Sequence, residues 1–321
     1  MRTDPPAHTR VRNLVSRALS TAEVNKLEPQ IHDIAKSLAA PWIGTGAVEF
    51  VGAFAALMPN AVTTAFIGAP AQMREQFRFW AAEVISRFTG PQPPERQLEV
   101  AHNIAAMGRY FLEQIAARRR QPASDLISLL AHAQVDGDRL EDVAIVNVIE
   151  TFLIGGRETT TYLLGNSLYH LAQQPDIAAL LRAEPERVRD FIEEMLRLEA
   201  PAQSVLRSPT RDVHIGGVTI PAGATLFVFL ASANRDESQF DSPDTVKLDR
   251  FASRECRHVA FGYGSHACLG MHLARAEVRI ALQTLLPRMH EIRLALLDPL
   301  SRVESWLLRG PSRLELRFLP S

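Results

Sequence analysis

Cysteine and lysine are scarce in this 321-residue sequence, and neither sign of charge prevails. The two cysteines, Cys256 and Cys268, are too few to form the disulfide framework of a small secreted protein, so we expect a reducing, cytoplasmic location. The 35 basic residues nearly cancel the 36 acidic ones. This balance argues against a protein that binds nucleic acid or another polyanion.

Long apolar runs and nucleotide-binding glycine motifs are also missing. No stretch reaches the roughly 18 consecutive apolar residues of a membrane span, and no apolar signal-peptide core follows the first residues. The sequence contains no Gly-x-Gly-x-x-Gly fingerprint of flavin or nicotinamide binding. What the sequence does contain is 46% hydrophobic residues, which is enough to bury a substantial core.

Helical periodicity dominates the chain up to about Leu198, with apolar residues three and four positions apart. The longest periodic stretch, from Leu140 to Gln173, predicts one long central helix. Proline and glycine clusters predict the breaks between helices, at Pro41, Pro59, 68–70, 90–94, 121–122 and 174–175.

The pattern changes after Pro201 to short β-like runs separated by glycine turns. We expect strands at 212–215, 218–220 and 225–229, a loop-rich stretch at 234–264, a helix from Cys268 to Leu286 and a tail of short strands. The strands are too few for a doubly wound sheet, so the predicted fold is mainly α with a small β portion.

The most informative segment is residues 261–270, which read FGYGSHACLG. Its glycines permit tight turns and bring Cys268 to the expected start of a helix, where free N–H groups and the helix dipole stabilise a thiolate. A lone cysteine is more often a small buried hydrophobe. A zinc site with His266 and His272 is a further alternative.

The spacing of Phe261, Gly264, Cys268 and Gly270 resembles the haem-binding loop of the cytochrome P450 family, Phe-x-x-Gly-x-x-x-Cys-x-Gly. The resemblance implies that the Cys268 thiolate is the proximal ligand of a haem iron. Cys256 lies outside this pattern and is interpreted as structural.

Glu194, Met195, Leu196 and Arg197 match a second family signature, the Glu-x-x-Arg of the K helix. Acid and arginine pairs at this spacing are common on helix surfaces. The cysteine loop downstream changes that interpretation, since in the family a later arginine joins the pair, and Arg250 stands at that position. The resemblance implies a role in folding and haem incorporation for these residues.

Gly155 and Gly156 interrupt good helix formers inside the predicted long helix, each at a cost of about 1 kcal/mol relative to alanine. One interpretation is a helix end at Gly155, although the periodicity resumes beyond it. With Glu158 and Thr159 they resemble the family's oxygen-binding groove. The resemblance implies that Thr159 hydrogen-bonds dioxygen during its activation and that Glu158 relays protons.

His8 and Arg12 lie four residues apart, so two potential cations share one helix face, and a bound anion would account for such a pair. The segment resembles the start of the C helix in bacterial members of the family. The resemblance implies that both residues bind a haem propionate, together with Arg207 and His266.

The resemblance extends along the whole chain and implies a single cytochrome P450 domain over residues 1–321. Because the matching positions begin at the C helix, we expect the family's N-terminal helices and first sheet strands to be absent. A chain lacking them should bind haem weakly and aggregate, since apolar faces would meet water.

The function implied is that of a haem-thiolate monooxygenase with haem b. It would insert one oxygen atom of O2 into a lipophilic small molecule, as apolar residues such as Phe152, Val205 and Leu206 suggest. Electrons would come from a ferredoxin or flavodoxin with its reductase, docking near surface arginines, for which the candidates are Arg254, Arg257, Arg275 and Arg279. The alternative function is a truncated, catalytically silent remnant of such an enzyme.

Overall fold

The computed structural model describes residues 4–87, 92–135, 137–252, 257–295 and 300–321. Helices dominate, as the apolar periodicity predicts. The helices are α1 (Ala7–Ala18), α2 (Thr21–Ala39), α3 (Leu57–Ile67), α4 (Arg74–Ser86), α5 (Pro94–Arg120), α6 (Leu126–His132), α7 (Asp142–Gly155), α8 (Arg157–Gln173), α9 (Pro175–Ala183), α10 (Val188–Leu198), α11 (Leu230–Ala233) and α12 (Met271–Leu285). Within the described ranges, no helix is long and apolar enough to span a bilayer.

The strands are short and pair only antiparallel in the described part of the chain. They are β1 (Ala47–Glu49), β2 (Gln134–Val135), β3 (Asp138–Arg139), β4 (Ser204–Arg207), β5 (Val213–Ile215), β6 (Val218–Ile220), β7 (Leu226–Phe229), β8 (Met289–Leu294) and β9 (Glu315–Pro320). A three-stranded sheet has the order β1-β9-β8, while β2 pairs with β3, β4 with β7 and β5 with β6.

The chain forms two compact units, of which the first comprises residues 1–45, 52–161 and 269–285. In it, α12 packs along α2, and an aromatic cluster of α4 and α5 fills the core with Phe77, Trp80, Tyr110 and Phe111. Helix α3 ends at Gly68, whose φ of +90° is left-handed. A Cβ at Gly68 would lie 2.3 Å from the Asp125 side chain, so only glycine fits.

The second unit comprises residues 46–51, 162–268 and 286–321. Its central helix, α10, is apolar on one face, and that face is fully buried. Strand β7 has β4 as its neighbour in the described part of the chain. The aromatic side chain of Phe229 at the end of β7 is 53% exposed.

Several predicted boundaries are wrong. The expected single helix from Leu140 to Gln173 is two helices, α7 and α8, separated by Gly156 alone, whose φ of −91° and ψ of −15° remain in the right-handed helical region. Pro59 does not break a helix but lies in the first turn of α3, where a missing N–H costs little. The helix expected from Cys268 begins only at Met271. Four strands were not expected, namely β1, β2, β3 and β4.

Candidate functional site

Glu194 and Arg197 on α10 form a completely buried ion pair, and both side chains are 0% exposed. Arg197 donates from Nε to Glu194 Oε2 at 2.7 Å and from Nη2 to Oε1 at 3.0 Å. Arg250 adds a bond from Nε to Glu194 Oε1 at 2.9 Å, and the Lys247 amide donates to the same oxygen at 2.9 Å. The structure therefore brings together the three residues that the sequence singled out.

The charge state of Glu194 follows from these donors. Burial raises its pKa, but the hydrogen bonds from Arg197, the Lys247 amide and Arg250 outweigh burial, and the net pKa is lowered. A carboxylate with several charge-assisted bonds is stable in a buried site. Glu194 is therefore a carboxylate in the folded protein.

Arg197 also connects this network to the cysteine loop. Its Nη1 donates to the Asn234 carbonyl at 3.0 Å, and the fully buried Asn234 uses Oδ1 to accept the Val259 amide at 2.7 Å. Val259 lies two residues before Phe261. The buried ion pair thus fixes the point where the cysteine loop begins.

The cysteine loop is a series of tight turns closed by its own backbone. The Cys268 amide donates to the Phe261 carbonyl at 2.8 Å, and the Ala267 amide donates to the Gly264 carbonyl at 3.0 Å. Gly264 has a φ of +82°, a conformation that side chains rarely adopt. A Cβ at Gly264 would meet nothing within 4 Å, so the conformation rather than crowding requires glycine.

Cys268 presents an exposed thiol and precedes α12 by three residues. The expectation that it lies in the first helical turn is wrong, because the first helical hydrogen bond is accepted by the Gly270 carbonyl from Ala274 at 2.9 Å. The Cys268 sulfur therefore lies on the loop and not on the first turn of α12. Cys256 and Arg254 lie outside the described residues.

The donor set fits a haem better than a zinc ion. Among the described residues, no three His, Cys, Asp or Glu side chains are grouped so that they could hold a metal ion, which is what a structural zinc site needs. A single exposed sulfur is compatible with haem, because the porphyrin ring nitrogens already bind the iron. Arg207 and His266, in the same unit as Cys268, are exposed and able to meet carboxylates.

His8 and Arg12 lie in the first unit, one helical turn apart on α1. His8 is 1% exposed, whereas Arg12 is half-buried. Because His8 is buried and Arg12 is half-buried, the pair does not lie on an ordinary solvent-exposed helix face.

The break between α7 and α8 also lies in the first unit. The Thr159 hydroxyl donates to the Gly155 carbonyl at 3.0 Å, so this side chain bridges the interruption at Gly156. A Cβ at Gly155 would meet nothing within 4 Å, and one at Gly156 only Phe152 O and Thr63 Oγ1 at 3.9 Å. The two glycines therefore leave open space beside Thr159, and Glu158 next to it is half-buried.

Glu199 is a buried carboxylate that the sequence interpretation missed. His170 lies 3.6 Å, Arg302 3.4 Å and Arg309 2.9 Å from its oxygens. Burial raises its pKa, but the contacts with His170, Arg309 and Arg302 outweigh burial and lower the pKa to about 2. These partners come from distant parts of the sequence, so no local pattern indicated them.

Glu277 on α12 is the opposite case, a buried acid that stays neutral. It is 2% exposed, and burial raises its pKa from 4.5 to about 8. Because the folded protein keeps this proton to a higher pH than the unfolded chain, the free energy of unfolding falls as the pH rises between these two values.

Replacing Glu277 by glutamine should remove this pH dependence. We expect Glu277→Gln to be more stable than the wild type at pH 8, by about 5 kcal/mol at most, and nearly equal in stability at pH 4.5 and below. Urea unfolding at a series of pH values measures the difference. A constant difference across this range would show that Glu277 does not carry the raised pKa.

Comparison with known proteins agrees with this geometry. Residues 91–316 match the sequence profile of the family described as Cytochrome P450. Cytochrome P450 107B1 of Saccharopolyspora erythraea is 37% identical over 319 residues, covering 99% of this chain and 76% of the relative. Vitamin D(3) 25-hydroxylase of Pseudonocardia autotrophica is 38% identical over 323 residues, covering 99% of this chain and 77% of the relative.

A solved structure shows the same fold. Cytochrome P450 CYP109Q5 from Chondromyces apiculatus superposes with a TM-score of 0.90 at 36% sequence identity, covering 100% of this chain and 79% of that one. The buried Glu194 and Arg197 pair and the glycine-rich cysteine loop thus stand in a chain that resembles these enzymes almost from end to end, and it belongs to the cytochrome P450 family.

Proposed function

We propose that this protein is a haem-thiolate monooxygenase and that the Cys268 thiolate binds the iron of haem b. The observation that carries the proposal is the exposed Cys268 thiol on a loop closed by the bond between the Cys268 amide and the Phe261 carbonyl. When bound, the haem supplies the activation of dioxygen. The protein's residues position that group, deliver protons and bind the substrate.

The cysteine loop would support the haem with its glycines and one aromatic ring. Gly264 and Gly270 have no side chains to obstruct a flat group, and Phe261 would provide an apolar ring for it. By their matching positions we assign His8, Arg12, Arg207 and His266 to the haem propionates. Cations and carboxylates form charge-assisted hydrogen bonds of this kind.

Thr159 and Glu158 are the proposed catalytic residues. The Thr159 hydroxyl donates to the Gly155 carbonyl, so its oxygen can accept a further hydrogen bond from a water molecule. Glu158 can take a proton from solvent and pass it on through water. Gly155 and Gly156 keep the space beside the hydroxyl open.

A lipophilic substrate is consistent with apolar residues in each of the two units. Phe152, one turn before Gly155, packs edge-on against Phe66 at 6.1 Å between ring centroids. Leu206 on β4 is 49% exposed. One relative is named for hydroxylating vitamin D3, which is a lipophilic molecule.

Electrons would arrive from a ferredoxin or flavodoxin with its reductase, in the cytoplasm. Of the arginines proposed to meet an acidic partner, Arg279 is bonded to Glu28, which reduces its value for docking.

The function is tested by supplying the chain with ferredoxin, its reductase and isotopically labelled dioxygen, together with a lipophilic compound that perturbs the haem spectrum. We expect one labelled oxygen atom in the product. Spectral binding and reduction without any product would favour the alternative, a catalytically silent remnant.

Replacing Thr159 by alanine should divert electrons into hydrogen peroxide. We expect Thr159→Ala to bind substrate and take up electrons normally. The amount of product formed per electron should fall by up to about 10²-fold, because the variant has lost a group that delivers protons. The measurement is the ratio of product to hydrogen peroxide formed.

Thr151→Ala is the matched control, because the Thr151 hydroxyl makes the same type of bond, to the Asn147 carbonyl at 2.8 Å, two turns earlier on α7. Its coupling should equal that of the wild type. Unchanged coupling in Thr159→Ala would show that protons travel by another route.

A further inference from the structure

His258, at the start of the cysteine loop, is a buried histidine whose two ring nitrogens both have partners. Its side chain is 5% exposed, and Nε2 lies 3.0 Å from Glu193 Oε2. The Ala260 amide donates to Nδ1 at 3.2 Å. The ring lies edge-on to Phe251 at 5.6 Å and is tilted against Phe261 at 6.1 Å.

These partners determine the tautomer of His258. A backbone amide can only donate, so Nδ1 must be the unprotonated acceptor. The ring proton therefore resides on Nε2 and is donated to the Glu193 carboxylate. The neutral imidazole connects α10 to the loop backbone with both of its nitrogens in use.

His258 lies beside residues of the buried ion-pair network and of the cysteine loop. Glu193 is adjacent to Glu194, and Phe251 is adjacent to Arg250, so His258 packs beside the buried ion-pair network. Ala260, held by Nδ1, directly precedes Phe261, whose carbonyl accepts the Cys268 amide at 2.8 Å. The His258 side chain thus holds one of the first peptide groups of the cysteine loop.

Two consecutive amides at the loop's start are held by side chains, Val259 by Asn234 and Ala260 by His258. Some of the loop residues that follow have open surroundings. A Cβ at Gly262 or Gly264 would meet nothing within 4 Å, and Tyr263 is 85% exposed. The orientation of the loop therefore depends strongly on how its first residues are held.

We propose that His258 is a positioning residue, held by Glu193, that sets the conformation of the cysteine loop and so keeps the Cys268 sulfur in its ligating position. This inference rests on the proposed haem-thiolate function. The bond from the Ala260 amide to Nδ1 is the essential contact, and the bond to Glu193 orients the ring.

Two substitutions separate these bonds. His258→Asn places an amide oxygen near the position of Nδ1 and keeps an acceptor for the Ala260 amide, but loses Glu193. His258→Gln places an amide nitrogen near the position of Nε2 and keeps a donor to Glu193, but loses the acceptor for Ala260. Each variant loses one of the two hydrogen bonds that the His258 ring makes, so similar losses of folding stability are expected.

The readout is the fraction of haem that shows the red-shifted Soret band of thiolate ligation in the reduced carbon monoxide complex, at equal haem content. We expect His258→Gln to shift the ratio of thiolate-ligated to other haem by about five- to tenfold, the effect of one lost hydrogen bond. His258→Asn should stay close to the wild type. His214→Asn, in the exposed hairpin of β5 and β6, is the control histidine and should have no effect.

Equal fractions in His258→Gln and the wild type would overturn the proposal. So would equal losses in the Gln and Asn variants that parallel their unfolding midpoints, because that result indicates general destabilisation. If the wild type itself lacks the thiolate band, the proposed function fails instead. The two failures are therefore distinguishable.

Discussion

Replacing Cys268 by serine is expected to abolish the red-shifted Soret band of the reduced carbon monoxide complex and all monooxygenase activity. A serine hydroxyl is a far weaker donor to iron than a thiolate and does not push electron density toward the bound ligand in the same way. The loop itself should keep its conformation, because its closing bond joins the Cys268 amide and the Phe261 carbonyl and does not involve the side chain. The measurement is the absorption spectrum at equal haem content.

Cys256→Ser is the natural control, since Cys256 is the other cysteine in the sequence. It should retain the band in full. A Cys268→Ser protein that keeps the red-shifted band would show that a different residue binds the iron.

Replacing Arg197 by methionine is expected to destabilise the folded protein severely. The substitution leaves Glu194, which is 0% exposed, without its principal counter-charge. Removing one partner of a buried ion pair costs about 3–5 kcal/mol. That loss is a large fraction of the about 5–15 kcal/mol that stabilises a typical protein. The midpoint of urea unfolding of the haem-bound protein measures the effect.

Arg187→Met provides a matched comparison, because Arg187 pairs with two exposed carboxylates, Asp190 at 3.5 Å in i,i+3 spacing and Asp249. Exposed pairs contribute about 0–1 kcal/mol, so a small shift is expected. Equal shifts in the two variants would contradict the assignment of Glu194 and Arg197 as the central ion pair of this unit.

Residue spacing was sufficient to predict the parts of the site that depend on local sequence. The Glu-x-x-Arg spacing places Glu194 and Arg197 one helical turn apart, and the glycines around Cys268 predict tight turns. In each case residue type and spacing set the local backbone, so a single sequence was enough.

Residue spacing could not predict the features of the site that depend on tertiary contacts. The location of Cys268 outside α12 depends on which carbonyl accepts the first helical bond, and that carbonyl belongs to Gly270. The bonds of His258 to Glu193 and of Glu199 to Arg309 join residues 65 and 110 positions apart. No periodic pattern reports contacts at such separations. Strand β4, SVLR, was missed because no glycine turn marks its ends, whereas the glycines at 216, 217 and 223 separate β5, β6 and β7.

The absorption spectrum of the purified wild-type protein, reduced and treated with carbon monoxide, tests the central claim most directly. We predict that the haem which binds shows the red-shifted Soret band that thiolate ligation produces. A haem spectrum without that shift would contradict ligation by Cys268, and a colourless protein with stoichiometric zinc would contradict the proposed haem-thiolate function.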